Sequence, residues 1–262
     1  GDIIRLSDST PNPFGLGRLR VDQDGADARI VFVAGDGTET PLLRLENVAA
    51  GALTAANFGG VPIDPEAETV IGTDDPEDLL GGPAGEAIFG KGGTDTITGL
   101  GGDDQLSGGA DGDSIAGGFG NDWLSGDEGH DTITGGAGDD ILSGGPGDDA
   151  LTGGDDIAEF AGFDVFRGGP GDDTLSGGGQ DDIYLFGAAD GHDLLIDAGG
   201  SDRLVFDAGI APSDVTVRQD GDDLLLLVGG TRIRLQGAAA APGASAIETV
   251  AFEDGTSWDL GA

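Results

Sequence analysis

From Gly72 to Thr152 the chain divides without a gap into blocks of nine residues, beginning at Gly72, Gly81, Gly90, Gly99, Gly108, Gly117, Gly126, Gly135 and Gly144. Typical blocks read GGFGNDWLS, GGAGDDILS and GGPGDDALT, a pattern of G-G-x-G-x-D-x-U-x with U large and apolar. A longer block, Gly153 to Arg167, carries about six extra residues around IAEFAG, and regular spacing resumes at Gly168 and Gly177. Nine residues cannot hold a helix, a strand and two loops. They suffice for a six-residue turn and a three-residue strand. Side chains of a strand alternate between faces, so the eighth position points one way and the seventh and ninth the other. That eighth position holds Leu79, Ile88, Ile97, Leu106, Ile115, Leu124, Ile133, Leu142 and Leu151, then Phe166, Leu175 and Tyr184. One apolar residue per block makes no core alone, but stacked blocks pack each such residue on those above and below it.

The sixth position carries the chemistry. It holds Asp95, Asp104, Asp113, Asp122, Asp131, Asp140 and Asp149, then Asp164, Asp173 and Asp182. Stacking would bring these carboxylates close, and without counter-ions they would repel one another. The whole chain repeats the problem: 50 Asp and Glu against 11 Lys and Arg give a formal charge of -39. Such a charge opposes compaction and excludes nucleic acid, whose partners are basic. A divalent cation reverses the balance. With no cysteine in the chain, the donors are hard oxygens, carboxylates and the carbonyls of glycine turns. Such donors select calcium over zinc or copper, and calcium's flexible geometry suits a backbone-rich cage better than the strict octahedron of magnesium. No apolar run is long enough to span a bilayer. With no methionine, position 1 included, the chain reads as an excised piece, compatible with a removed signal.

The flanks are of another kind. DIIRL, RLRVD and ARIVFVA near the start, and DRLVF, DVTVRQ, LLLLV and TRIRLQ near the end, read as antiparallel strands. The flanks also resemble each other. VDQDGADARIVFV at residue 21 parallels VRQDGDDLLLLVG at residue 217, and PLLRLENV parallels TRIRLQGA. The expected organisation is therefore a β-rich N-terminal capping region over 1–66, a repeat region over 67–186 and a β-rich C-terminal capping region over 187–262. Caps of this kind cover the unpaired strand edges at the ends of a stack. The second copy of the cap suggests a longer array.

The blocks resemble the repeat-in-toxin (RTX) nonapeptide, and the tail from GHDLLIDAGGSDRLVFDAGI to FEDGTSWDL is similar to the region that commonly follows such repeats. The resemblance implies an all-β fold, a right-handed parallel β-roll with two nonapeptides per coil and calcium between alternate turns. It also implies a ligand rule. Positions 2 and 4 give carbonyls and position 6 a carboxylate; the block two further on adds carbonyls from positions 1 and 3 and its own position 6. Carried over, one ion takes Lys91, Gly93 and Asp95 with Gly108, Ala110 and Asp113. The next takes Leu100, Gly102 and Asp104 with Gly117, Phe119 and Asp122. Gly109, Asp111 and Asp113 pair with Gly126, Glu128 and Asp131, and Gly118, Gly120 and Asp122 with Gly135, Ala137 and Asp140. Asp127, Gly129 and Asp131 join Gly144, Pro146 and Asp149. Gly136, Gly138 and Asp140 join Asp164, whose site the insertion disturbs. Gly145, Gly147 and Asp149 join Gly168, Pro170 and Asp173, and Asp164 faces Gly177, Gly179 and Asp182. The rule gives about eight ions, with each central aspartate bridging two. Glu77 and Glu86 replace aspartate in the first blocks, where weak or absent sites are expected; Asp75, Ala84, Asp111 and Gln180 replace turn glycines.

By this reading the chain is a calcium-binding module of a secreted bacterial protein, exported unfolded by a type I secretion machinery and folding on calcium outside the cell. No export signal is legible in the ending WDLGA. An enzyme would need a base, an acid and charge stabilisers converging in a cleft, and no such constellation is found around Lys91, Tyr184, His130 or His192. The alternatives are a non-catalytic module of a polysaccharide-modifying enzyme and a segment of a calcium-rigidified adhesin or surface-layer protein. In the latter, Trp123 and Ile141, eighteen residues apart, could meet a polysaccharide or cell-surface partner. Thr96, Thr98, Thr132 and Thr134 form a broken ladder that argues only weakly for ice binding.

Overall fold

The eighth position decides the architecture. Ile88, Leu106, Leu124, Leu142, Phe166, Tyr184, Leu204 and Val250 stand in register on successive parallel strands of one sheet. Leu79, Ile97, Ile115, Ile133, Leu151, Leu175, Leu195 and Leu235 do the same on a second. Consecutive blocks feed alternate sheets, so two blocks make one coil of a parallel β-solenoid. The two columns face each other and merge into one continuous core. The computed structural model describes residues 17–24, 27–34, 39–45, 69–154, 162–238 and 247–260, with side chains from residue 69 onward. DIIRL and residues 157–161 of the insertion lie outside them.

The strands are longer than a three-residue expectation allows. From Ala87–Gly92 to Thr132–Ala137 each spans six residues, because pairing continues through positions 1 to 3 of the next block: Gly109 sits opposite Lys91 on one side and Asp127 on the other. At the start, Thr69–Ile71 and Asp78–Leu80 have three residues, and from Ile141–Ser143 onward several shrink to three again. Positions 2 and 4 take left-handed backbone. Gly118 and Gly120 have φ of 116° and 127°, and Lys91, Leu100, Asp111, Asp127 and Gln180 adopt φ of 70–94° at equivalent places. That conformation costs an L-residue about 1–2 kcal/mol, so the stacking overrides the local preference. A Cβ on Gly118 or Gly120 would collide with the carbonyl of Leu100 or Gly102 in the preceding coil, which is why glycine dominates both places.

Leu142 is completely buried between Leu124 and Phe166. Leu142→Ala is expected to destabilise the folded roll by about 2–5 kcal/mol, read as a rise in the calcium concentration at half-folding. An unchanged midpoint would mean that the column is not what holds the coils together.

Parallel pairing does not stop at 186. Arg203–Phe206, read from sequence as antiparallel, pairs parallel with Ile183–Phe186 and with Thr249–Ala251. Thr231–Leu235 pairs parallel with His192–Ile196 and antiparallel with Asp223–Val228, which pairs antiparallel with Thr216–Asp220. The first sheet ends on the antiparallel strand Ser257–Asp259. Among the described residues each sheet thus ends on this side in an antiparallel strand.

The similarity of the flanks extends to register. Gly17–Asp24, Asp27–Ala34 and Glu39–Leu45 form a three-stranded antiparallel sheet. Val21 pairs with Ile30 and Ile30 with Leu43; Val217 pairs with Leu226 and Leu226 with Ile233. In the C-terminal copy Arg234 bonds both Asp220 and Asp223 across the hairpin, at 2.6 and 2.5 Å. The equivalent residues are Arg44, Asp24 and Asp27.

Candidate metal centres

Each position-6 aspartate is placed by a turn that leaves its side chain no way out to solvent. Asp95, Asp104, Asp113, Asp122, Asp131, Asp140, Asp149, Asp164, Asp173 and Asp182 are all buried. One oxygen of each is spoken for. The backbone N–H of Asp104 donates to Asp122 Oδ1, and that of Asp122 to Asp140 Oδ1, each at 2.8 Å. The same bond recurs from Glu77 to Asp182 in two parallel ladders. The insertion stretches the step to 24 residues, yet Asp164 and Asp173 still occupy their rungs. The register of the rungs is the same on both sides of it.

The other oxygen is orphaned. Oδ2 of Asp95, Asp104, Asp113, Asp122, Asp131, Asp140, Asp149, Asp173 and Asp182 is buried with no hydrogen-bond donor. A Cβ on Gly117, at position 1, would collide with Asp122 Oδ2 and would lie 2.6 Å from the carbonyl oxygen of Gly135. The same holds for Gly135, with Asp140 Oδ2 and Gly153 O. Glycine at position 1 therefore leaves room in which a carboxylate oxygen and a carbonyl oxygen two blocks on come together. Unpaired buried carboxylates cost several kcal/mol each, and an oxygen-lined cradle with no protein donor fits a hard cation such as calcium.

The electrostatics agree. Burial pushes the carboxyls of Asp140, Asp173 and Asp182 up to about 8, against the opposing effect of their backbone hydrogen bonds and with a further push from neighbouring carboxylates. Asp104 and Asp113 reach about 7 and Asp122 about 6, again chiefly through burial. Groups raised in this way bind protons more tightly in the metal-free fold than in the unfolded chain. Their stabilising contribution is complete below the ordinary carboxylate range and is lost as pH rises through about 6 to 8. With calcium chelated, β circular dichroism should therefore grow as pH is lowered from about 8 toward 4. In calcium the dependence inverts, because protons compete for Oδ2, and the half-folding calcium concentration should rise as pH falls. Equal slopes in both conditions would show that these carboxylates are not the groups that calcium neutralises.

Glu77 and Glu86 behave differently. The extra methylene lets each carboxylate fold back on its own turn: Glu77 accepts from Thr73 N–H at 2.6 Å and from Thr73 Oγ1 at 3.0 Å, and Glu86 from Gly82 N–H at 2.9 Å. Neither leaves the orphan oxygen of the aspartates. Asp127, at a glycine place, accepts from the hydroxyls of Ser107 and Ser125, which occupies its side chain and leaves the backbone to follow the coil.

Two rungs were not legible from the repeat. Asp193 and Asp202 continue the ladders, accepting from Asp173 N–H and Asp182 N–H, and both carry an orphaned buried Oδ2. Their steps are 20 residues rather than 18, so two extra residues broke the period. GHDLL and GSDRLVF, each an aspartate after a glycine turn and before an apolar slot, were the available signal.

The residues weighed for catalysis are scattered. Tyr184 fills the inward slot, fully buried and stacked on Phe166 at 5.0 Å. His130 lies exposed on a turn beside Asp148, and His192 lies exposed at the start of a strand beside Asp172. Trp123 and Ile141 are direct neighbours on adjacent strands, and Thr96, Ser114, Thr132, Ala150 and Thr174 line up across the other sheet. Among the described residues no helix is long and apolar enough to cross a membrane.

Comparison with known proteins agrees with this geometry. A family model described as the RTX calcium-binding nonapeptide repeat (4 copies) matches residues 80–115, 89–124, 125–157 and 160–190. A second, the haemolysin-type calcium binding protein related domain, matches residues 223–262. No curated protein matches the chain. Among solved structures, the crystal structure of the extracellular lipase LipA from Serratia marcescens is similar at 22% identity with a TM-score of 0.30. That similarity covers 67% of this chain and 38% of the lipase chain, so this chain spans well under half of the lipase's length.

Proposed function

This chain carries the calcium-binding nonapeptide repeats of the RTX family, joined to a haemolysin-type related domain, and on that premise we propose that it is a non-catalytic module whose folding is driven by calcium outside the cell. The observation that carries the reading is the pair of ladders of buried, donorless Oδ2 atoms. Position-6 carboxylates, with carbonyls of positions 1 to 4, are the ligands of the proposed ions, from the Lys91–Asp95 turn to the Gly177–Asp182 turn. When bound, calcium supplies the positive charge that these oxygens lack. The chain's own residues supply the frame: left-handed turns aim carbonyls inward, and the apolar columns fix the spacing between coils.

Coupling follows from the same frame. Extracellular modules bind calcium at roughly 0.1 to 1 mM, a level met outside cells and not in resting cytosol. A chain of this charge would therefore stay unfolded through a type I secretion machinery and fold on leaving it. Equilibrium dialysis against calcium should find about eight ions per chain, and a count of one or two would overturn the ladder as the binding element. A second reading, a segment of a calcium-rigidified adhesin or surface-layer array, draws on the matched register of the two antiparallel sheets. Attachment as a non-catalytic module to a polysaccharide-modifying enzyme would use the same calcium-folded frame. Retention of the calcium-loaded chain on cell walls or immobilised polysaccharide, lost on Trp123→Ala, would favour a binding role; no retention would leave the purely structural one.

A further inference from the structure

One place before each buried aspartate, a second row of side chains ties the same coils together from outside. The fifth position is exposed and has the look of a solvated turn, yet its acceptor atoms stand in register. Asp103 Oδ1 accepts from Asn121 N–H at 2.9 Å, Asn121 Oδ1 from Asp139 N–H at 3.0 Å and Asp139 Oδ1 from Phe163 N–H at 3.0 Å. On the alternate turns His130 Nδ1 accepts from Asp148 N–H at 2.7 Å, Asp148 Oδ1 from Asp172 N–H at 3.0 Å and Asp172 Oδ1 from His192 N–H at 3.0 Å. Carboxylate, amide and imidazole all take the same part. What they share is an acceptor, not a charge.

The direction of these bonds matters. In the buried ladders the N–H of position 6 donates to the following coil, as Asp104 does to Asp122. In the outer row the N–H of position 5 donates to the preceding coil, as Asn121 does to Asp103. A trans peptide group is planar, with its C=O opposed to its N–H, and no cis bond occurs among the described residues. Holding Asn121 N–H back toward Asp103 therefore turns the Gly120 carbonyl forward. It is found there: a Cβ on Gly138, in the next coil, would collide with Gly120 O. Ala137 O points back into the same gap, where it accepts from Gly120 N–H at 2.9 Å. The rungs on either side of this gap are Asp122 and Asp140. The pattern recurs on the alternate turns, where Gly147 O, just before Asp148, occupies the place of a Cβ on Gly171.

We propose that the fifth-position side chains Asp103, Asn121, His130, Asp139, Asp148 and Asp172 are positioning residues for calcium. Each accepts from the turn of the following coil and so aims that turn's position-4 carbonyl at the ion site beyond it. They touch no ion themselves. The inference rests on the calcium reading of the repeats and adds what orients the carbonyl ligands. Phe163 stands at the same place with no acceptor in its side chain, so the row is interrupted there. It resumes at Asp181, whose Oδ1 accepts from Ser201 N–H at 2.9 Å.

The test is a calcium titration of the full chain followed by circular dichroism, repeated with strontium, a larger ion of the same charge. Asp103→Ala is expected to raise the half-folding calcium concentration by about threefold or more. The strontium value should rise by less, because a carbonyl no longer held in place discriminates less between ion sizes. Asp103→Asn keeps the acceptor and should stay near the wild type with both ions. Equal shifts for the two variants would assign the effect to charge and overturn the proposal. Equal proportional shifts in calcium and strontium would also overturn it, leaving a bond that only stabilises the coil, and so would no shift at all. Should Asp103→Ala fail to fold, Phe163→Asn decides. Supplying an acceptor for Asp181 N–H is expected to lower the calcium midpoint, and an unchanged or higher midpoint overturns the proposal. A wild type whose β signal ignores calcium would sink the reading of the repeats as well, whereas a calcium-dependent wild type with indifferent variants would sink this row alone.

Discussion

Stripped of calcium at neutral pH, the full chain should lose most of its β circular dichroism and regain it cooperatively on adding calcium, but not on adding magnesium at equal concentration. The energetics leave little room for another result. Folding fixes each residue at a cost of about 1–2 kcal/mol, and each block returns only one fully buried apolar side chain, such as Leu106 or Ile133, worth about 1.5–3 kcal/mol. Backbone pairing contributes to this balance, but the ladders weigh against it, with buried aspartates stacked on aspartates inside the turns, each of which must take up a proton or stay an unpaired charge. Coils share their carboxylates with those above and below, so binding in one turn prepares the next and the transition should be steep. Magnesium keeps its water and demands an octahedron, which carbonyls fixed by left-handed turns do not offer. A chelated chain that kept its full β signal would reduce calcium to an accessory and remove the basis for calcium-coupled folding.

How far the sequence could be read follows from which constraints are local. The inward column from Ile88 to Tyr184 and the buried aspartates from Asp95 to Asp182 follow from a strict period, because period fixes face. The parallel strands beyond Phe186 did not. There the step lengthens by two residues, and DRLVF alternates like an antiparallel strand while pairing as a parallel one. Alternation reports which face is buried, not which neighbour lies alongside. Strand length was underestimated because pairing through positions 1 to 3 depends on the glycine turns of the coils on either side, which a single block does not reveal. The departures at Lys91, Leu100 and Asp127 carry left-handed backbone that no propensity predicts. The fifth-position row escaped the motif because Asp103, Asn121 and His130 share only an acceptor atom, which no single residue type marks.

Asp122→Ala is expected to raise the half-folding calcium concentration by about tenfold or more and to remove two ions, whereas Glu77→Ala should leave both nearly unchanged. Asp122 sits mid-ladder. Its Oδ1 takes the N–H of Asp104 and its own N–H feeds Asp140. Truncation leaves the Asp104 N–H buried without an acceptor, a penalty of about 1–3 kcal/mol. It also takes one carboxylate from each of the two ligand sets that Asp122 would join, with Asp104 below and Asp140 above. Because binding free energy is folding free energy in such a system, the loss appears as a shifted midpoint and a shallower transition, the stack being cut into two shorter runs. Asp122→Asn separates the contributions: its side-chain oxygen can still accept from Asp104, so a smaller shift with the same loss of ions would assign the remainder to charge. Glu77, whose carboxylate is already engaged by Thr73, lies at the first turn and bridges nothing below. Equal shifts at Asp122 and Glu77 would mean that calcium acts on the net charge of the whole chain rather than at the rungs, and the ladder would have to be abandoned as the binding element.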